Sequence, residues 1–148
     1  DNISSIEMNL QRASLQKIEF EQYKLQNKRI FKECGVVRGS RRIVLETYIE
    51  TPTESELIEI MSKLEKVATD KSLSKSLPNS SSGSKFFDSG IYDLKFHAHN
   101  ESLNFNTTLD TVANANSRLS KKLLEFTRSI RKAGTNKTIC GNHNFFGI

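Results

Sequence analysis

Hydrophobic positions along this chain recur at different spacings, and each spacing predicts a different element. From residue 3 to 33, Ile3, Ile6, Met8, Leu10, Leu15, Ile18, Phe20, Leu25, Ile30 and Phe31 lie among Gln, Lys and Glu with no glycine or proline between them. This reads as a long amphipathic helix. Met8 and Leu15 form one seven-spaced column and Ile18 and Leu25 another, while Gln22 and Arg29 interrupt the first further along. Such a stripe is too broken for a strong coiled coil and too apolar for a helix alone in water. It predicts packing on the rest of the chain, on a second copy or on another protein. Ile6, Leu10 and Phe20 fall outside the columns of Leu15, Ile18 and Leu25, so all six are candidate partner-binding residues.

Gly35 and Gly39 end that segment, and the pattern then changes. Arg42 to Glu50 reads as a strand with Ile43, Leu45, Thr47 and Ile49 on one side. Thr51, Pro52 and Glu54 give a helix start, and Leu57, Ile60, Met61, Leu64 and Val67 follow at helical spacing. Composition shifts to Ser, Lys and Gly between residues 69 and 85, which predicts a loop. Tyr92, Leu94, Phe96 and Ala98, then Leu103, Phe105, Thr107 and Leu109, alternate with polar residues around a turn near Asn100, as in a hairpin with one wet face. A helix capped by Asp110 or Thr111 carries Val112, Leu119, Leu123, Phe126 and Ile130 to Gly134, and residues 137–148 supply a weak closing strand.

The predicted order is therefore helix, strand, helix, strand, strand, helix, strand. That is an α+β fold: a ferredoxin-like split βαββαβ sandwich over residues 35–148, preceded by a helical stem over 1–34. A helical stem before a small split sandwich resembles the periplasmic domains of single-pass proteins in the type IV pilus alignment subcomplex and the type II secretion inner-membrane platform. The resemblance covers the whole chain as an order of elements. It implies a membrane-anchored, extracytoplasmic domain that dimerises and docks neighbouring components. A pilin-like subunit, with its long N-terminal helix against a sheet, is a second resemblance of the same kind.

Composition adjusts this picture in few places. The 148 residues carry 22 Lys and Arg against 17 Asp and Glu, a net charge of +5. The surplus is spread over Lys24, Lys28, Arg29 and Lys32, over Arg38, Arg41 and Arg42, and over Lys121, Lys122, Arg128, Arg131 and Lys132. A nucleic-acid surface would gather it on one face with stacking aromatics, so a binding module of that class is an alternative rather than the leading expectation. No apolar run has membrane length, and the opening at Asp1 suggests a mature product or part of a longer chain, with any anchor outside the sequence.

Cys34 and Cys140 stand at the two ends of the expected sandwich. A disulfide there, worth on the order of 4 to 5 kcal/mol for so long a loop, and two buried thiols both fit. The oxidised pair implies the periplasm or another extracytoplasmic space. Sequons occur at Asn2, Asn79, Asn100, Asn106 and Asn136, a pattern that an Asn- and Ser-rich chain also produces by chance. His97 and His99 share a strand face, but His143 is expected on the opposite edge of the sheet, so no metal site is expected. With no nucleophile and base arrangement and no phosphate loop, the expectation is a cofactor-free, non-catalytic protein-protein interaction domain. It would act through the N-terminal helix and a sheet edge.

Overall fold

The computed structural model of the chain describes residues 3–13, 17–75, 90–98, 101–114 and 116–134. Its centre is an antiparallel sheet with β1 (Ile3–Ala13), β2 (Ile18–Gln26), β3 (Arg29–Arg38), β4 (Arg41–Glu50), β5 (Gly90–Ala98) and β6 (Glu101–Thr108) in the order β4-β3-β2-β1-β5-β6. One face is covered by α1 (Glu54–Ala68) and α3 (Arg118–Lys132), with the short α2 (Leu109–Asn114) leading into α3.

The expected N-terminal helix is overturned: β1, β2 and β3 take its place. Ile6, Met8 and Leu10 alternate with Glu7 and Asn9 and pair with Leu25, Tyr23 and Glu21. Asn27 and Lys28 both take left-handed backbone (φ 54° and 64°) and close the β2–β3 hairpin in two residues. Asn adopts that conformation readily, whereas Lys advertises no turn.

The ferredoxin-like arrangement falls with the helix, because four strands run as a meander before the first helix and β5 then returns beside β1. The strand expected over 42–50 is β4, and the hairpin expected around Asn100 is β5–β6. The cap of α1 is Thr53 rather than Thr51: its hydroxyl accepts from Glu56 N (3.2 Å) while the Glu56 carboxylate accepts from Thr53 N (2.8 Å). The expected last helix is two helices, with Ser117 capping α3 through Ser120 N at 3.0 Å. Part of the expected loop is ordered as a 3₁₀ turn at Lys71–Lys75, and the closing strand expected over 137–148 lies outside the described residues.

The core lies between the sheet and the helices. Ile6, Met8, Leu10, Tyr23, Leu25, Tyr92, Leu94 and Phe105 meet Ile60 and Leu64 from α1 and Leu119, Leu123, Phe126 and Ile130 from α3. Tyr92 is fully buried, and its hydroxyl accepts from the Thr127 hydroxyl at 3.1 Å. Burial pushes the Tyr92 phenol above its ordinary range.

Candidate interaction surface

The same strands that build the core turn a second set of residues to the opposite face of the sheet. Register puts Phe31 beside Lys24 and Ile49, and Val37 beside Ile18 and Arg42, all on the side away from the helices. Phe20 is on this side too, yet only 3% exposed. It faces Gly35 across the β2–β3 pair, and the Arg42 guanidinium lies over its ring at 4.0 Å while donating to Gln22 Oε1 at 2.5 Å.

β4 is the outer strand at this end, and among the described residues it has a strand neighbour on one side only. Its pairing with β3 slips between Cys34 and Gly35, which leaves Leu45 as the extra residue of a bulge. Gly35 permits the close approach: a Cβ there would sit 1.9 Å from the Ile43 carbonyl oxygen. The bulge corrects the expected common side of Ile43, Leu45, Thr47 and Ile49. Ile43 stays on the helix-covered side with Val36, Thr47 and Ile49 face away, and Leu45 protrudes. Leu45 is 64% exposed and Ile49 57%, and Val44 and Phe31 are exposed beside them. Large apolar side chains along an edge strand are what a soluble sheet ordinarily avoids.

Under the helices the local chemistry is polar but closed. Arg131 donates to both carboxylate oxygens of Glu21 (Nε to Oε1 3.0 Å, Nη2 to Oε2 3.1 Å), and the Tyr23 hydroxyl donates to Oε1 at 2.5 Å. Burial raises the Glu21 carboxyl from 4.5 to about 7, against the pull of the Arg131 charge. Burial also raises the Tyr23 phenol, helped by the adjacent Glu21. Lys32 Nζ donates to the Arg131 and Ala133 carbonyls at 3.4 and 2.9 Å, closing the C-terminal end of α3, and desolvation lowers its pKa. These hydrogen bonds tie α3 to the sheet.

A cleft of about 830 Å³ separates the start of α1 from the sheet, with Ile3, Ile6, Leu25, Leu57, Ile58 and Met61 among its lining. Two of the six candidate partner-binding residues, Ile6 and Leu25, therefore meet there as a cross-strand pair, both buried. Leu10 is fully buried deeper in the core, Phe20 sits beneath Arg42, and Ile18 is half-buried on the open face. Leu15 lies outside the described residues. The structure thus disperses the five that it describes. The residues that do form an exposed apolar group are Phe31, Val44, Leu45 and Ile49, and the sequence pattern, which puts Leu45 and Ile49 on the apolar side of their strand and Phe31 in a helix, does not mark them as exposed.

Lys32 and Arg131 leave the surface for the core, which thins the basic clusters further. His97 is on the open face of β5, whereas His99 and His143 lie outside the described residues. Among the described residues no His, Cys, Asp and Glu side chains gather as a metal site, and no helix is long and apolar enough to cross a membrane. Cys34 is buried on the helix-covered side of β3, and no free cysteine occurs among the described residues, while Cys140 lies outside them. Comparison with known protein families and with curated proteins finds no match for this chain.

Proposed function

We propose that this chain is a non-catalytic protein-protein interaction domain that captures its partner along the outer edge of β4, which has no strand partner among the described residues. The observation that carries the reading is the combination of a ten-residue edge strand with exposed Val44, Leu45, Ile49 and Phe31 beside it. An added strand would satisfy the outward backbone groups of β4 while its side chains cover the apolar ones, which is the logic of β-strand addition. The N-terminal helix no longer contributes, and with it goes the element order behind the likeness to pilus and secretion-platform domains.

In this reading Cys34 pairs with Cys140 and the protein works in an oxidising, extracytoplasmic space. Thiol labelling of the unfolded, unreduced protein is expected to find no reactive thiol. Two per chain would remove the argument for that location. A nucleic-acid module is the weaker reading, because the open faces of the central strands β1 and β5 present Glu7, Asn9, Gln11, Asp93 and Lys95 rather than aromatics for stacking.

Selection of extended peptides from a random library on the immobilised chain tests edge capture. Enriched peptides should alternate apolar and polar residues and lose binding about tenfold or more to Leu45→Lys and Ile49→Lys. Peptides that bind these variants as well as the parent would contradict the proposal.

A further inference from the structure

The β4 edge is complementary to itself. Arg41 and Arg42 make its beginning basic, while Glu46 makes its second half acidic and Glu50 at its end is buried. Two copies laid antiparallel place each basic end beside an acidic one, whereas a parallel arrangement sets like charges together. The bulge narrows the geometry further. Arg42 and Val44 before it, and Thr47 and Ile49 after it, are on the open face. Arg41 and Ile43 before it, and Tyr48 and Glu50 after it, are on the helix-covered face. A two-fold axis between Leu45 and Glu46 pairs Arg41 with Glu50, Arg42 with Ile49, Ile43 with Tyr48 and Val44 with Thr47. Each of these pairs joins residues of the same face, as a continuous sheet requires.

We propose that the occupant of the β4 edge is a second copy of this chain, paired antiparallel in this register to form a two-fold dimer with one sheet running through both. The inference rests on the edge-capture reading above and names its partner. In the dimer the alkyl stem of Arg42, held over Phe20, lies beside the partner's Ile49, and Leu45 is brought to the two-fold axis.

Sedimentation velocity on the full chain over a range of concentrations is expected to show a monomer-dimer equilibrium. Leu45→Lys should weaken it about tenfold or more with an unchanged circular dichroism spectrum. Arg41→Glu, which turns the basic end of the strand acidic, should weaken it several-fold, and added salt should narrow the gap between parent and variant. The double variant Val44→Cys/Thr47→Cys should cross-link to a covalent dimer on oxidation, where the parent treated identically does not. A parent that stays monomeric at every concentration, or a dimer that ignores Leu45→Lys and fails to cross-link, overturns the proposal. If such a monomer still selects strand peptides at β4, self-pairing alone is refuted. If it selects none, edge capture is refuted with it.

Discussion

β2 contributes to both faces of the sheet, and the two sides use polarity in opposite ways. Glu19, Glu21, Tyr23 and Leu25 point under the helices, where the Glu21 carboxyl is fully buried and held by Arg131 and Tyr23. Ile18, Phe20, Gln22 and Lys24 point outward, where Phe20 is apolar and needs Arg42 to cover it. A buried carboxylate is costly unless every lone pair is met, and it then ties its partners to one geometry. An apolar residue outside costs little in the folded chain and becomes useful when another surface arrives. The helix-covered face therefore fixes the fold, and the open face beside β4 carries the exposed apolar side chains proposed for recognition.

The sharpest way to break that comparison is to remove one partner of the buried pair. Arg131→Met should destabilise the chain by about 3 to 5 kcal/mol near pH 8, because the buried Glu21 loses the cation that holds its charge and must either stay charged unpaired or take up a proton. The loss should shrink near pH 5, where Glu21 takes up a proton, and denaturant titrations at the two pH values would show it.

A middle-sized effect is expected at the junction of the two faces. Gly35→Ala puts a methyl into the Ile43 carbonyl and should cost about 2 kcal/mol or more while opening the bulge. Urea unfolding measures the loss, and exchange at Leu45 shows the opening.

The parent's own pH dependence is smaller. With its folded pKa raised to about 7 from 4.5, Glu21 contributes stability that is complete below pH 4.5 and is lost as pH rises through 7. Asp70 acts in the opposite sense. The Lys122 ammonium, 2.8 Å away, and the Ser72 hydroxyl hold its carboxyl below the ordinary 3.8, so its contribution is present above that value and lost as pH falls through the depressed one. Between pH 5 and pH 8 only the Glu21 slope operates of the two, so Tm should fall by roughly 5 °C across that window. Glu21→Gln should flatten the profile. An upward slope would contradict the assignment. Smallest of all, Leu45→Lys and Ile49→Lys should leave stability within about 0.5 kcal/mol, since neither residue is part of the core.

Much of the second half of the fold is legible in the sequence because its residues obey their faces. α1 has a clear cap signal and a clean apolar stripe, and β5 and β6 alternate through Tyr92, Leu94 and Phe96 and through Leu103 and Phe105. The first half is illegible for a physical reason. Glu21, Lys32 and Glu50 take inward positions, while Phe20, Phe31 and Ile49 take outward ones, so the period of two is scrambled. The Asn27–Lys28 turn carries no glycine to mark it. Read without the turn, the mixture passes for a helix. The residues that hide the strands are those that build the buried polar cluster and the exposed edge, so the candidate site was present in the sequence as an irregularity. No spacing rule pointed to Leu45, because a bulge follows from the approach of two backbones at Gly35 rather than from periodicity.

Hydrogen exchange along the two outer strands tests the central claim most directly. Amides of β4 and β6 would be followed as protein concentration rises, and again as a selected strand peptide is added. The account predicts that protection increases along residues 42–49 of β4 in at least the peptide experiment, with β6 unchanged. Protection that stays constant along β4, or that grows only at β6 or around the α1 cleft, would contradict it.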